Sequence, residues 1–181
     1  MKAFLILFLL FPFVSLAETV IPQGKFLRSC YVDDSDALQT LLNAENELWT
    51  ITHTAFEEEN CQTPYIIYEV KYKSAVQDKN LDMATLEASY TPLSEIVSEA
   101  LNQIGFCGFV DWKTNEKKVV TGRTCDDFFQ PREGEILYNI FDLKADGDKI
   151  NLFLGIPTSS KNGKTAERRF DKLDPRFYVK Q

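Results

Sequence analysis

The chain has 181 residues, of which 44% are hydrophobic, and a formal net charge of −7. This length predicts one domain with a sizeable core. The sequence pI near 4.8 argues against nucleic-acid binding, which depends on Lys and Arg side chains that neutralise phosphates. No apolar stretch reaches the ~20 residues of a membrane-spanning helix, so we expect a protein that is not integral to a membrane.

Residues 1–17 have the composition of a secretory signal peptide. Lys2 supplies a positive start, an apolar run of 12 residues follows, and Ser15 and Ala17 occupy the −3 and −1 positions of a cleavage site. We therefore expect an exported protein, periplasmic or secreted, in which residues 18–181 form the mature domain. This domain has 19 basic and 27 acidic residues, a formal charge of −8.

All 4 cysteines follow the predicted cleavage site, and an even number in an oxidising compartment predicts two disulfides. The chain has no C-x-x-C motif and only 1 histidine, His53, so no metal site is predicted. Residues 109–112 and 117–124 resemble two strands of a hairpin whose register sets Cys107 opposite Cys125. That spacing suits a disulfide and leaves Cys30 to pair with Cys61.

Alternating or β-branched segments predict the strands, which turn signals separate. Residues 37–43 also fit a helical face, although we favour a strand there. The last two predicted strands form a hairpin across Asp146-Gly147, a strong two-residue turn signal. Besides the hairpin at 109–124, the predicted strands are 25–32, 37–43, 48–56, 66–73, 86–90, 136–143 and 149–155.

One amphipathic helix is predicted at about 92–104. Thr91 is its expected N-cap, Pro92 its first residue and Gly105 its C-terminal stop. One apolar stripe at helical spacing is expected to pack over a sheet or across a barrel mouth. Its members are Leu93, Ile96, Val97, Ala100, Leu101 and Ile104.

These elements indicate an all-β fold: a single antiparallel β-barrel or sandwich of about eight or nine strands. The C-terminal tail, residues 156–181, has 7 basic and 3 acidic residues against an acidic body. Opposite charge should draw the tail onto the barrel.

No catalytic, metal-binding or cofactor-binding residue is assigned. A Ser-His-Asp or Cys-His enzyme would need His53, which lies mid-strand without a nucleophile motif nearby and is expected to be structural. A calcium loop starting at Asp142 fails because Lys144 and Phe153 occupy ligand positions.

The start of the first predicted strand resembles that of lipocalins. Gly24-Lys25-Phe26 stands where lipocalins carry a G-x-W motif that closes the barrel base, with Phe26 in place of the tryptophan. The resemblance implies that Arg168 or Arg169 packs on this aromatic ring. It also implies a lipocalin-like barrel and a lipid-type ligand, without assigning any ligand-binding residue.

A looser similarity extends to the extracellular domain of the adenomatosis-polyposis-coli down-regulated Wnt inhibitors. There a Gly-x-aromatic start is followed by a Cys and then by a polar-Cys-x-x-Pro step. The corresponding residues here are Cys30, and Asn60, Cys61 and Pro64.

Three functions remain open at this point. The leading one is an exported protein that binds a small apolar or amphipathic ligand inside its barrel. The second is a barrel with a filled core that acts through its surface, as an inhibitor or an envelope interaction module, and the third is an enzyme. Trp49, Tyr68 and Tyr72 could line or plug the interior, so an open or a filled barrel distinguishes the first two.

Overall fold

The computed structural model describes residues 20–33 and 36–181, so the predicted signal peptide lies outside the described residues. Twelve strands and one α-helix, α1 (Glu95–Gln103), are found in these ranges. The strands are β1 (Gly24–Asp33), β2 (Asp36–Glu45), β3 (Leu48–Phe56), β4 (Pro64–Gln77), β5 (Asn80–Pro92), β6 (Lys118–Val119), β7 (Thr124–Cys125), β8 (Phe128–Phe129), β9 (Ile136–Asp146), β10 (Lys149–Ile156), β11 (Lys172–Leu173) and β12 (Tyr178–Lys180).

Eight of these strands form a closed antiparallel barrel. Strands β1 to β5 follow one another around the wall, β9 pairs with β5, and β10 pairs with β9. The short strand β12 then joins β10 to β1 and closes the circuit. The predicted all-β fold with one helix is confirmed. Because the barrel is closed, each of the eight wall strands pairs with a neighbour on both sides over at least part of its length.

The alternating segments fold as predicted because each has one face for the interior. In β3, Trp49, Ile51 and Ala55 are buried, and the threonines between them are half-buried on the other face. Strand β3 has the predicted bounds, and β2 forms as a strand rather than as a helix. Strands β4 and β5 extend beyond the predictions at both ends.

The hairpin of β9 and β10 forms, with its turn one residue later than predicted. Asp146 pairs with Lys149, so the two turn residues are Gly147 and Asp148. Gly147 has φ 58°, a left-handed conformation that glycine adopts without a steric penalty.

Helix α1 begins one turn later than predicted, at Glu95. Thr91 and Pro92 pair with β4 as the last residues of β5, and the Ser94 hydroxyl caps the helix by accepting from the Val97 N–H. The predicted apolar stripe is also partly wrong, since Ile96 and Ile104 are 80% and 67% exposed. Leu101 of the predicted stripe is buried, as is Ser98, which the stripe does not include.

The predicted hairpin of residues 109–112 and 117–124 is wrong. The Asn102 side chain of α1 accepts from the Trp112 backbone N–H (2.6 Å) and donates to the Trp112 carbonyl (3.0 Å). An amide that satisfies both backbone groups removes the need for a ladder partner at Trp112. Strand β6 pairs with β5, and β7 pairs with β8. We call residues 93–135, which leave and rejoin the barrel between β5 and β9, the disulfide lobe.

Both predicted disulfides, Cys30–Cys61 and Cys107–Cys125, are confirmed. The first joins β1 to the loop between β3 and β4, and the second lies inside the disulfide lobe. Each should stabilise the fold by about 3 kcal/mol through loop closure. They are consistent with an oxidising compartment.

The C-terminal segment is part of the barrel structure. Strand β11 pairs with β10, β12 closes the barrel, and the Phe170 and Tyr178 side chains are buried. Phe177 remains 41% exposed, with its ring 5.4 Å from that of Phe153.

The arginine contact implied by the lipocalin resemblance is not observed. Arg169 lies over the Tyr138 ring and pairs with Asp82, while the Arg168 Nε donates to the Ser160 carbonyl. Phe26 is buried inside the barrel, in the β1 position that pairs with β12.

Within residues 20–33 and 36–181, no helix is long and apolar enough to cross a membrane. The same residues contain no group of three or more His, Cys, Asp or Glu side chains placed to hold a metal ion.

Deleting residues 174–181 should abolish cooperative thermal unfolding of the barrel. The deletion removes β12, which leaves β1 and β10 unpaired at the closure and exposes Phe26 and Leu152. Circular dichroism melting under non-reducing conditions measures the effect. Deletion of Gln181 alone is the control and should leave the melting temperature nearly unchanged. A truncated protein that melts like the full chain would contradict the closing role of β12.

Candidate functional site

One row of inward-facing side chains crosses the five strands β1 to β5. The strand register pairs Arg28 with Thr40, Thr40 with His53, His53 with Tyr68, and Tyr68 with Tyr90. Directly opposed residues of antiparallel strands lie on the same face of the sheet, so these side chains are neighbours inside the barrel. We call them the polar row. It brings together a cation, a hydroxyl, an imidazole and two phenols.

The next row, towards the Gly24 end of β1, is entirely apolar and buried. It consists of Phe26, Leu42, Ile51, Val70 and Ala88. Further fully buried side chains fill the interior at this end: Trp49, Leu81, Met83 and Leu152. We call this filled part of the interior the floor.

On the other side of the polar row the interior is open. A pocket of about 420 Å³ lies at this end of the barrel, which we call the mouth. The interior is therefore filled at the floor and open at the mouth, and a further pocket of about 390 Å³ lies below the floor, beside the turn between β2 and β3. The pocket is lined by Asp36, Leu38, His53, Ala55, Tyr65, Ile66, Tyr68 and Tyr90.

His53 is held in the pocket wall by a chain of two hydroxyls. The Thr40 Oγ1 lies 3.0 Å from the His53 Nδ1 and 3.2 Å from the Tyr31 hydroxyl. Burial lowers the pKa of His53 to about 4, and the positive charge of Arg28 acts in the same direction. The imidazole is therefore neutral at physiological pH.

Aromatic rings form one continuous wall of the pocket. The rings of His53 and Tyr68 are nearly parallel, at 20° and 6.1 Å between centroids, and Tyr90 lies 4.6 Å from Tyr68. Phe106 of the disulfide lobe meets Tyr90 edge-on at 5.2 Å. Burial raises the pKa of both phenols, aided at Tyr68 by the neighbouring tyrosines and opposed at Tyr90 by a hydrogen bond from Gln130. Both phenols are therefore uncharged.

Arg28 is a buried cation at one end of the polar row. Its Nη1 lies 3.0 Å from the Asp174 carboxylate, its Nη2 donates to the Arg176 carbonyl, and its guanidinium lies 4.2 Å from the centre of the Tyr178 ring. Such partners are required because an unpaired buried charge is strongly destabilising. The Nε is fully buried and has no hydrogen-bond partner among the described residues.

Asp174 stays ionised beside this cation. Burial alone would raise the pKa of its carboxyl, but hydrogen bonds from the Arg176 backbone and side chain and the charge of Arg28 outweigh burial, and the pKa is lowered. The buried ion pair therefore joins β1 to the segment directly before β12.

The sequence-predicted residues divide between the polar row and the floor. Tyr68 lines the pocket, whereas Trp49 and Tyr72 pair with each other in the floor. The Cys61 Sγ lies 3.7 Å from the Leu38 carbonyl oxygen, which places the first disulfide beside the mouth. Sequence reasoning missed Arg28 and Thr40, whose only signal is the register that places Thr40 opposite His53 and Arg28 opposite Thr40.

The stability of the wild-type protein should fall more steeply below pH 6.5 than that of His53→Gln. An unfolded histidine takes up its proton near pH 6.5, whereas folded His53 does so near pH 4, so the unfolded state binds more protons between these values. The contribution of neutral His53 to the free energy of unfolding is thus fully present above pH 6.5 and is lost as the pH falls towards 4. The loss specific to His53 should approach about 3 kcal/mol near pH 4.

Urea unfolding at pH 7 and at pH 4.5 measures this difference, because the carboxylates titrate alike in both proteins. Equal pH dependence of the unfolding free energy in wild type and His53→Gln would show that His53 is not held neutral by the fold.

No protein-family model matches this chain, and no curated protein matches it either. Of the features that the lipocalin resemblance implies, the protein has the closed eight-stranded antiparallel barrel. Function is therefore inferred from the pocket itself.

Proposed function

We propose that this protein binds a small apolar or amphipathic molecule in the pocket at the mouth of its barrel. The observation that carries the proposal is the division of the interior into a filled floor and an open pocket of about 420 Å³. Small-molecule sites typically measure about 300–1,000 Å³. An eight-stranded barrel is wide enough for one small ligand.

The lining suits a ligand with an apolar body and a polar group. Leu38, Ala55 and Ile66 form an apolar row across β2, β3 and β4 at the mouth. Burying an acyl or aromatic body against them would contribute about 0.8 kcal/mol per CH₂ group. His53 and Tyr68 add neutral polar atoms beside this row, which favours an amphipathic ligand over a purely apolar one.

The proposal includes action outside the cytoplasm, in a periplasm or after secretion. Two disulfides support it, because such bonds persist in oxidising compartments. The signal-like composition of residues 1–17 supports it independently.

One observation favours a second function, interaction through the surface. Phe128 and Phe129 of β8 are 73% and 52% exposed, and Val110 of the same lobe is also exposed. Exposed aromatic side chains are common at protein interfaces. An inhibitor or envelope interaction module would use this part of the disulfide lobe rather than the pocket.

Delipidated protein should bind a fluorescent fatty acid, 11-(dansylamino)undecanoic acid, saturably, and dodecanoate should displace it. Ala55→Phe should weaken this binding at least tenfold, because the new ring occupies the pocket. Thr54→Phe is the matched control, since the neighbouring residue faces away from the interior.

Melting curves of both variants check that the barrel still folds. Absence of saturable binding by the wild type up to ~100 μM, equivalent to an affinity weaker than about −5.5 kcal/mol, would end the ligand proposal. Surface interaction would then be the leading function.

N-terminal sequencing of the protein exported by a secreting host should begin at Glu18. The small residues Ser15 and Ala17 place the signal-peptidase cut after Ala17. An exported product that retains Met1 would contradict the predicted signal peptide.

A further inference from the structure

The hydroxyl chain behind His53 fixes the position of its single ring proton. Thr40 is fully buried, and its hydroxyl has two partners among the described residues, the Tyr31 hydroxyl and the His53 Nδ1. A hydroxyl has one proton to donate, and a buried hydroxyl needs an acceptor for that proton. Because Thr40 has no third partner among the described residues, its hydroxyl donates to one of these two groups and accepts from the other.

Two guanidinium groups decide the direction of the chain. Those of Arg28 and Arg176 lie 5.5 and 5.0 Å from the centre of the Tyr31 ring. Nearby positive charge makes a phenol a stronger donor and a weaker acceptor. Tyr31 thus donates to Thr40, and Thr40 donates to the His53 Nδ1. A neutral imidazole that accepts at Nδ1 carries its proton on Nε2.

The protonated edge of the His53 ring faces the pocket. His53 is a lining residue, and its Nε2 has no hydrogen-bond partner among the described residues. The pocket therefore presents one fixed N–H donor.

The surroundings of this donor restrict the ligand. The rings of His53, Tyr68 and Tyr90 line the pocket beside this donor, so an aromatic ligand can pack against them. The charge of Arg28 is already taken by Asp174, so a carboxylate gains no counter-ion beside His53, and an anionic ligand would keep its carboxylate in the solvent at the mouth. A cationic group at the inner end would face the positive end of the N–H dipole, and the Asp36 carboxylate already accepts from the Tyr65 hydroxyl.

We propose that the His53 Nε2–H donates the hydrogen bond that orients the ligand, and that the pocket selects an aromatic molecule with a neutral acceptor oxygen at its inner end. This inference rests on the proposed function and narrows its ligand class. His53 is then the specificity-determining residue, and Thr40 positions it.

The ring proton can be located without any ligand. The chain has 1 histidine, so the imidazole ¹⁵N spectrum of the labelled protein at pH 7 reports His53 alone. We expect the Nε2–H tautomer. Thr40→Val should shift the population towards the Nδ1–H form, whereas Thr50→Val, on the outer face of β3, should not. A predominant Nδ1–H tautomer in the wild type would overturn the proposal.

Two ligands of the same shape test the selectivity. 2-Acetylnaphthalene has a carbonyl acceptor where 2-ethylnaphthalene has only a CH₂ group, and both can displace the dansyl fatty acid. The preference is the dissociation constant of the ethyl compound divided by that of the acetyl compound. We expect this ratio to be roughly two- to tenfold higher for the wild type than for His53→Phe. The two ligands lose the same hydration free energies on binding either protein, so this difference cancels when the ratios are compared between the proteins.

The outcomes separate this inference from the proposed function. Binding of dodecanoate without binding of either naphthalene overturns the inference and leaves the proposed function standing. An equal preference in wild type, Thr40→Val and His53→Phe also overturns it. Failure of dodecanoate and both naphthalenes to bind overturns both proposals.

Discussion

The pairing of β12 with both β1 and β10 is the constraint on which the interior depends. A closed barrel fixes the register of every strand, and a slip of one residue would turn a whole strand's side chains to the opposite face. The segment that makes this closure also carries Asp174, which neutralises Arg28 on β1. Backbone pairing and the buried ion pair therefore hold the same junction.

Fixed register explains why one half of the interior is filled and the other is not. Each strand contributes one side chain per row, and the row next to the polar row combines Phe26 with aliphatic side chains that pack without polar demands. The polar row cannot pack in this way, because buried hydroxyls and imidazoles need hydrogen-bond partners. Thr40 finds its partners in His53 of the same row and in Tyr31 of β1, and the space beyond His53 stays open.

Much of the wall could be predicted from residue alternation, as the bounds of β3 show, and the even number of cysteines predicted two disulfides. The pairing of Cys107 with Cys125 is correct, although the hairpin register from which it was derived is absent. The prediction failed where contacts from outside a segment decide how that segment folds. Asn102 ties Trp112 to α1, which no local pattern in residues 109–124 indicates. Arg28 looks like an ordinary surface residue of a strand, because its partner Asp174 lies 146 residues away. The pocket depends on such contacts.

Strand β5 continues beyond its partner β9, whose pairing ends at Ala84. The rest of the β5 edge is covered by the disulfide lobe: the Val120 N–H donates to the Ala88 carbonyl, and Phe106 supports the ring of Tyr90. One wall of the pocket is thus shaped by a segment that takes no part in closing the barrel. Evolution could alter this insertion and so retune what the pocket accepts, while the register of the eight wall strands stays unchanged.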